Sequence, residues 1–278
     1  MDFFVNCTWL KDQLHHDKIR IVDCRFQMGQ PEAGKNAYLE EHIPGAVYFD
    51  LEKDLSSAVQ THGGRHPLPN LDSFKALLDD SGIDEETMVI AYDAGGEAYA
   101  TRLWWLLNYV GHKKVAILDG GFHAWKQANL PVTHEVPSYR KTNLDIQLQE
   151  KMLADYEDIK KIATDSNSKV ILVDSRERNR YLGLAEPIDK KAGHIPGAIN
   201  KVWTEGFRDG LFKGVQEQKH RFQDLSSESP VIVYCGSGVT ATPNFLALKA
   251  AGFSNVKLYC GSFSDWISYD DNDVATGE

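Results

Sequence analysis

Short apolar runs recur along the chain at Ile19–Asp23, Val89–Tyr92 and Val115–Leu118, and again at Val170–Asp174, Val231–Tyr234 and Val256–Tyr259. They are β-branched and nearly continuous, without the polar alternation of a half-exposed strand. Such runs predict strands covered on both faces. The segments between them carry the helical period. Leu71–Ser81 puts Leu71, Phe74, Leu77 and Leu78 on one face, and Gly82 is the stop. Ala241–Ala251 predicts another helix, closed by Gly252, with Pro243 in the first turn where a missing N–H costs nothing. Strand and helix alternate in this way throughout, which predicts an α/β chain of mainly parallel sheets with helices on both faces. The polar stretch His134–Gln149 has no period and reads as a linker.

The chain contains its own half twice. His42-Ile-Pro-Gly-Ala46 recurs as His194-Ile-Pro-Gly-Ala198, and Ile19–Arg25 parallels Val170–Arg176, with Asp23 opposite Asp174. Val89–Gly96 parallels Val231–Gly238, which sets Asp93 opposite Cys235. Leu118–Trp125 parallels Tyr259–Trp266, matching Gly120, Phe122 and Trp125 to Gly261, Phe263 and Trp266. Four blocks in one order predict two tandem domains, residues 1–135 and 150–278, rather than a solenoid of short units.

Composition narrows the function. Asp and Glu number 40 against 30 Lys and Arg, a net charge of −10. That balance argues against nucleic acid, whose phosphates call for clustered cations. The greasiest stretch, Leu103–Val110, is too short to span a bilayer, and the first residues show neither a basic n-region nor an apolar h-region. A soluble, cytoplasmic chain without membrane contact is expected. Cys7, Cys24, Cys235 and Cys260 form no CxxC pair, so neither a zinc site nor any other metal or organic cofactor is expected.

One cysteine stands where chemistry can happen. Ligands of open α/β sheets bind beyond the carboxyl ends of the strands. Cys235 directly follows the strand Val231–Tyr234, and Gly236, Ser237 and Gly238 lead from it into a helix. A glycine-rich loop at a helix N-terminus turns its N–H groups inward and favours an anion. A thiol cupped there is expected to have its pKa lowered into the range of about 3.5–7.5 seen for activated cysteines, and so to act as a nucleophile. The equivalent loop of the first half carries Asp93, which cannot hold sulfur, so that half is expected to be catalytically silent.

These residues resemble the two-domain sulfurtransferases of the rhodanese family, and most nearly their mercaptopyruvate-using branch. The resemblance runs from about Thr8 to about Trp266. It rests on the two His-Ile-Pro-Gly-Ala blocks, Trp104-Trp105, Leu118–Trp125 and the loop Cys235–Ala241. It implies two rhodanese-like domains and an enzyme in which Cys235 takes a sulfane sulfur from a small anionic donor as a persulfide. The sulfur then passes to cyanide or to a thiol acceptor such as thioredoxin. Gly236 and Ser237 are neutral where the thiosulfate-using branch is cationic, which favours mercaptopyruvate as donor. Thiosulfate and a sulfur carrier without turnover are the alternatives. The resemblance implies a relay of Glu52, His66 and Ser237 beside Cys235, with Asp50 as the alternative to Glu52. It makes Arg180 the grip on the donor carboxylate, with Gly236, Gly238, Val239 and Thr240 completing the binding loop. A second arginine common in that branch is missing from Glu186–Ala192, where Lys190 or Lys191 could substitute. A Cys-based phosphatase would need an arginine six positions after the nucleophile, and Ala241 stands there. His42, His194, Trp125 and Trp266 are expected to be structural, because duplicated residues serve something both halves need, and Arg176 is expected to be structural as the partner of an acidic neighbour.

Overall fold

A computed structural model describes residues 3–165 and 167–278. Its strands are β1 (Phe4–Val5), β2 (Ile19–Asp23), β3 (Ala46–Tyr48), β4 (Met88–Tyr92), β5 (Val115–Leu118), β6 (Leu153–Ala154), β7 (Ile171–Asp174), β8 (Ile199–Asn200), β9 (Phe207–Arg208), β10 (Leu211–Phe212), β11 (Val231–Tyr234) and β12 (Val256–Tyr259). Its helices are α1 (Cys7–Gln13), α2 (Ala33–Glu40), α3 (Leu71–Asp80), α4 (Tyr99–Tyr109), α5 (Gly121–Gln127), α6 (Tyr156–Thr164), α7 (Arg178–Tyr181), α8 (Val215–Arg221), α9 (Thr242–Ala251) and α10 (Ser262–Trp266).

The chain divides into two compact units. One holds the residues up to Ser57 together with Leu68–Gln149 and Arg208–Phe212; the other holds Ala58–Pro67, Glu150–Phe207 and Lys213–Glu278. Each unit carries one five-stranded sheet, in the order β1-β5-β4-β2-β3 in the first and β6-β12-β11-β7-β8 in the second, and β9 with β10 forms a short ribbon. The pairings run parallel, for example Ile21 opposite Ile90 in the first unit and Val233 opposite Val173 in the second. The six apolar runs are the inner strands of these sheets, and Val89, Val173, Val231 and Val233 are completely buried. The edge strands are two or three residues long, too short for any periodicity to register.

The same devices stabilise both units. Asp23 and Asp174 end the second strand of their sheets, fully buried, and each is gripped by the arginine two residues on. Arg25 lies over the Phe122 ring at 4.1 Å, and Arg176 over Phe263 at 3.9 Å. The Trp125 and Trp266 indoles donate to the carbonyls of Pro131 and Asp273. His42 pairs antiparallel with Thr133 and His194 with Ala275, so each conserved-in-repeat histidine fastens the returning tail of its own unit. The aperiodic stretch 134–149 has no regular secondary structure before Gln149, yet it is not loose. Thr142 and Leu144 donate N–H bonds to Asp79, and Leu144 is buried. Among the described residues no helix is long and apolar enough to cross a membrane.

Candidate active site

Cys235 sits at the carboxyl end of β11, the central strand of the second sheet, and is buried. Its position is set from three sides. Its N–H donates to Ser262 Oγ at 3.1 Å, its carbonyl accepts from Phe263 N–H at 2.9 Å, and the Gly238 N–H donates to its Sγ at 3.2 Å. An N–H directed at sulfur stabilises negative charge there. Gly238 makes this turn with φ +78°, and a Cβ on it would lie 2.1 Å from the Cys260 carbonyl oxygen, so only glycine fits. Ser262 holds φ +57°, a left-handed conformation that costs a serine on the order of 1–3 kcal/mol. The matching position of the first unit is Gly121, at φ +56°. The second unit therefore tolerates the strain at the place where the serine hydroxyl meets the cysteine N–H.

α9 begins at Thr242, with Pro243 in its first turn and Gly252 left-handed at its end, as the sequence predicts. Its N-terminus closes the loop Gly236–Ala241, in which Gly236, Ser237, Gly238 and Val239 are buried and Thr240 is half-buried.

Ser237 Oγ lies 2.8 Å from His66 Nδ1. His66 comes from the first half of the sequence, but its segment, Ala58–Pro67, belongs to the second unit. Three bonds pin that segment: Gly63 N–H to Asp265, Arg65 N–H to Ser264 Oγ, and His62 to Ser268. The approach is so close that a Cβ on Gly64 would lie 2.3 Å from the Gly261 carbonyl oxygen. Glu52 and Asp50 belong to the other unit. Glu52 is exposed, while Asp50 is buried and its Oδ1 accepts the N–H groups of Glu52 and Lys53.

Arg180, in α7, is held by carboxylates. Its Nε donates to Glu186 at 3.0 Å and its Nη2 to Asp189 at 2.8 Å. A second guanidinium near the loop belongs to Arg65, which also pairs with Asp189, while Lys190 is exposed and Lys191 half-buried. Sequence reasoning missed Arg65 although a signal was available. It directly precedes His66 and follows Gly63-Gly64, a pair of glycines that marks a close approach of backbone. Burial holds the Arg65 guanidinium below its usual range, and the Cys235 sulfur acts against that shift. Arg176, by contrast, has a fully buried side chain that bonds to Asp174, Glu186 and the Gly193 carbonyl, which makes it structural. Arg178 is exposed and pairs with Glu278.

The first unit shows the same loop filled by its own anion. Asp93 is buried, and its carboxylate accepts the N–H groups of Gly95 and Ala100 at 3.0 and 3.1 Å. The inward N–H groups that would serve a ligand are occupied by a group that cannot leave. Burial, and then the charge of Asp93, push the neighbouring Glu97 up from 4.5 to about 7. A carboxyl whose folded value exceeds its unfolded one stabilises the fold in its protonated form. That stability is complete below about 4.5 and is lost as pH rises through about 7. After discounting for its partial exposure, the loss should be about 1–2 kcal/mol. Denaturant midpoints measured from about pH 5 to about pH 8 should fall with pH, and Glu97→Gln should flatten the profile. An unchanged slope in Glu97→Gln would assign the pH dependence elsewhere.

Of the other thiols, burial pushes Cys24 well above its ordinary value, helped by Asp23, and burial with Asp119 raises Cys7, so neither favours a thiolate. Cys260 is buried, with its Sγ 3.8 Å from the His66 carbonyl oxygen.

Known proteins share this fold. The rhodanese-like domain matches twice, over residues 6–128 and 155–269. A probable 3-mercaptopyruvate sulfurtransferase of Pseudomonas aeruginosa is 40% identical over 275 residues, covering 97% of this chain and 96% of that protein. The thiosulfate sulfurtransferase of Rattus norvegicus is 32% identical over 277 residues, covering 95% and 91%. The crystal structure of a 3-mercaptopyruvate sulfotransferase from Escherichia coli superposes with a TM-score of 0.84 at 32% identity, covering 95% of this chain and all of that one.

Proposed function

This chain belongs to the rhodanese family, and on that premise we propose that it is a sulfurtransferase that moves a sulfane sulfur from 3-mercaptopyruvate, through a persulfide on Cys235, to cyanide or a thiol such as that of thioredoxin. The observation that carries the donor choice is the Ser237–His66 bond of 2.8 Å beside Cys235, in a loop whose first two residues are uncharged. Mercaptopyruvate must lose a thiol proton when its sulfur is taken, and a hydroxyl backed by an imidazole can move that proton. Thiosulfate has no such proton.

The step follows from these groups. The Cys235 thiolate attacks the donor sulfur, a sulfur–sulfur bond forms, and the donor carbon–sulfur bond breaks. The electron pair leaves with carbon as the enolate of pyruvate, which takes a proton. Ser237, relayed to His66, handles the proton of the donor thiol. Arg180 and Arg65 bind the donor carboxylate, for which paired guanidiniums are suited. Gly236, Gly238, Val239 and Thr240 provide the loop that holds the persulfide. An acceptor thiolate or cyanide then attacks the outer sulfur and restores Cys235, which gives a ping-pong scheme. The domain 150–278 with the segment bearing His66 is the catalytic half, and the domain 1–135, with Asp93 in place of the cysteine, is the silent one. Nothing in the scheme requires a membrane or nucleic acid, and the cytoplasm is the compartment proposed for it.

The test compares kcat/KM for mercaptopyruvate and thiosulfate with cyanide as acceptor. A large preference for mercaptopyruvate is expected, together with its loss in His66→Ala. A preference for thiosulfate would overturn the donor assignment and leave the persulfide chemistry standing.

A further inference from the structure

Both guanidiniums beside the nucleophilic loop are bonded to a single carboxylate. Asp189 accepts from Arg180 through Oδ2 and from Arg65 through Oδ1, and its side chain is 1% exposed. A Cβ added to Gly236 would lie 2.8 Å from Arg65 Nη2, 3.4 Å from Arg180 Nη2 and 3.6 Å from Asp189 Oδ2. The carboxylate therefore sits next to the residue that follows Cys235. Glu186, the other acid at this place, is built into the structure. It bridges Arg176 and Arg180 and accepts the N–H groups of Ile188 and Asp189. The bonds of the Asp189 carboxylate among the described residues are to the two guanidiniums, and the loop that bears it is exposed at Leu184 and Ile188.

We propose that Asp189 is a tethered competitor for the donor. In the resting protein its carboxylate fills the seat between Arg65 and Arg180 that the donor's anionic group must take, and a donor binds by displacing it. This rests on the assignment of the Cys235–Arg180 region as the donor site. The arrangement also selects donors by charge. Two guanidiniums and two carboxylates cancel, and the Cys235 thiolate adds a negative charge, so the site offers an incoming anion no net attraction. Removing Asp189 takes one negative charge away, and the repulsion relieved grows with the charge of the donor. Asp189 therefore disfavours a dianion such as thiosulfate more than a monocarboxylate such as mercaptopyruvate.

Asp189→Asn keeps the shape and removes the charge. It is expected to raise kcat/KM for mercaptopyruvate about tenfold, with the gain in KM rather than kcat, because the donor no longer displaces a charge-assisted pair. The gain for thiosulfate should be larger, about a hundredfold if the effect is Coulombic. Asp189→Ala should move both values the same way, so a folding failure of one variant leaves the other to decide. Pyruvate serves as a probe that does not turn over. Calorimetry on Cys235→Ser/Asp189→Asn should show it bound about tenfold tighter than by Cys235→Ser alone. Unchanged or weaker pyruvate binding, with KM unchanged or raised, would overturn the proposal and make Asp189 a support that orients the arginines. Wild-type turnover would then still uphold the site assignment. A wild-type protein that neither turns over either donor nor forms a persulfide overturns both.

Discussion

Cys235→Ser is expected to abolish sulfur transfer, lowering kcat by at least about 10⁴-fold, while the protein stays folded. Serine is close to cysteine in shape, and the Gly238 N–H that donates to Sγ can donate to a hydroxyl. The stability change should therefore stay within about 1 kcal/mol. A hydroxyl, however, is not ionised at neutral pH and cannot store sulfane sulfur as a persulfide. The check is direct. After treatment with donor and removal of excess, the wild-type peptide containing Cys235 should gain the mass of one sulfur atom, and the serine variant should gain none. Cys24, buried and pushed well away from the thiolate, serves as the internal control. Transfer retained in Cys235→Ser would sink the assignment of the nucleophile.

Arg176→Met should be the most destabilising of the single changes considered. Asp174 and Arg176 are both fully buried as an ion pair, and Arg176 also holds Glu186 and the Gly193 carbonyl. Removing the guanidinium leaves a buried carboxylate without its partner, at a cost of about 3–5 kcal/mol. Denaturant unfolding should show this as a lower midpoint. Restoring neutrality with Asp174→Asn in the same chain should recover much of the loss, because replacing both members of a buried pair costs less than breaking it. Arg25→Met is expected to do the same to the first unit through Asp23. A small effect of Arg176→Met, below about 1 kcal/mol, would mean that the pair contributes no net stability, as for exposed pairs. Activity offers a second reading. Glu186 bonds to both Arg176 and Arg180, so Arg176→Met should also raise the donor KM.

The repeat was the most legible feature of the chain. Strand pattern and duplicated motifs were enough to find the two α/β sheets and their inner strands, because a strand buried on both faces must be apolar throughout. Cys235 was legible for a similar reason: strand end, glycine-rich loop and helix start are local in sequence and together imply an anion cradle. The edge strands were not legible. Two residues pairing at the margin of a sheet need no composition of their own, and only the neighbouring strand makes them strands.

The residues around the Cys235 loop divide along the same line. Gly236, Ser237 and Gly238 are read as part of the loop, while the relay of Ser237 with His66 and the grip of Arg180 are implied by the family resemblance. The place of Arg65 came from the fold, since Ala58–Pro67 lies far from Cys235 in sequence yet packs with the second unit. Lys190 and Lys191 were the cations that nearness to Arg180 in sequence offered, and the fold adds Arg65 beside Gly236. Ser262 stands opposite Gly121 in the aligned blocks. The sequence does not show that the serine adopts the glycine's left-handed backbone and receives the cysteine N–H.

By itself, then, the sequence determined what local chemistry can specify: the apolar strands, the capped helices, the duplication, and a cysteine at a strand end in a glycine-rich turn opposite an aspartate. Only the tertiary structure decided which charges meet. Arg65, Arg180, Glu186 and Asp189 form one neutral cluster beside Gly236 because a segment from the first half of the chain packs into the second unit, and no period or spacing encodes that encounter.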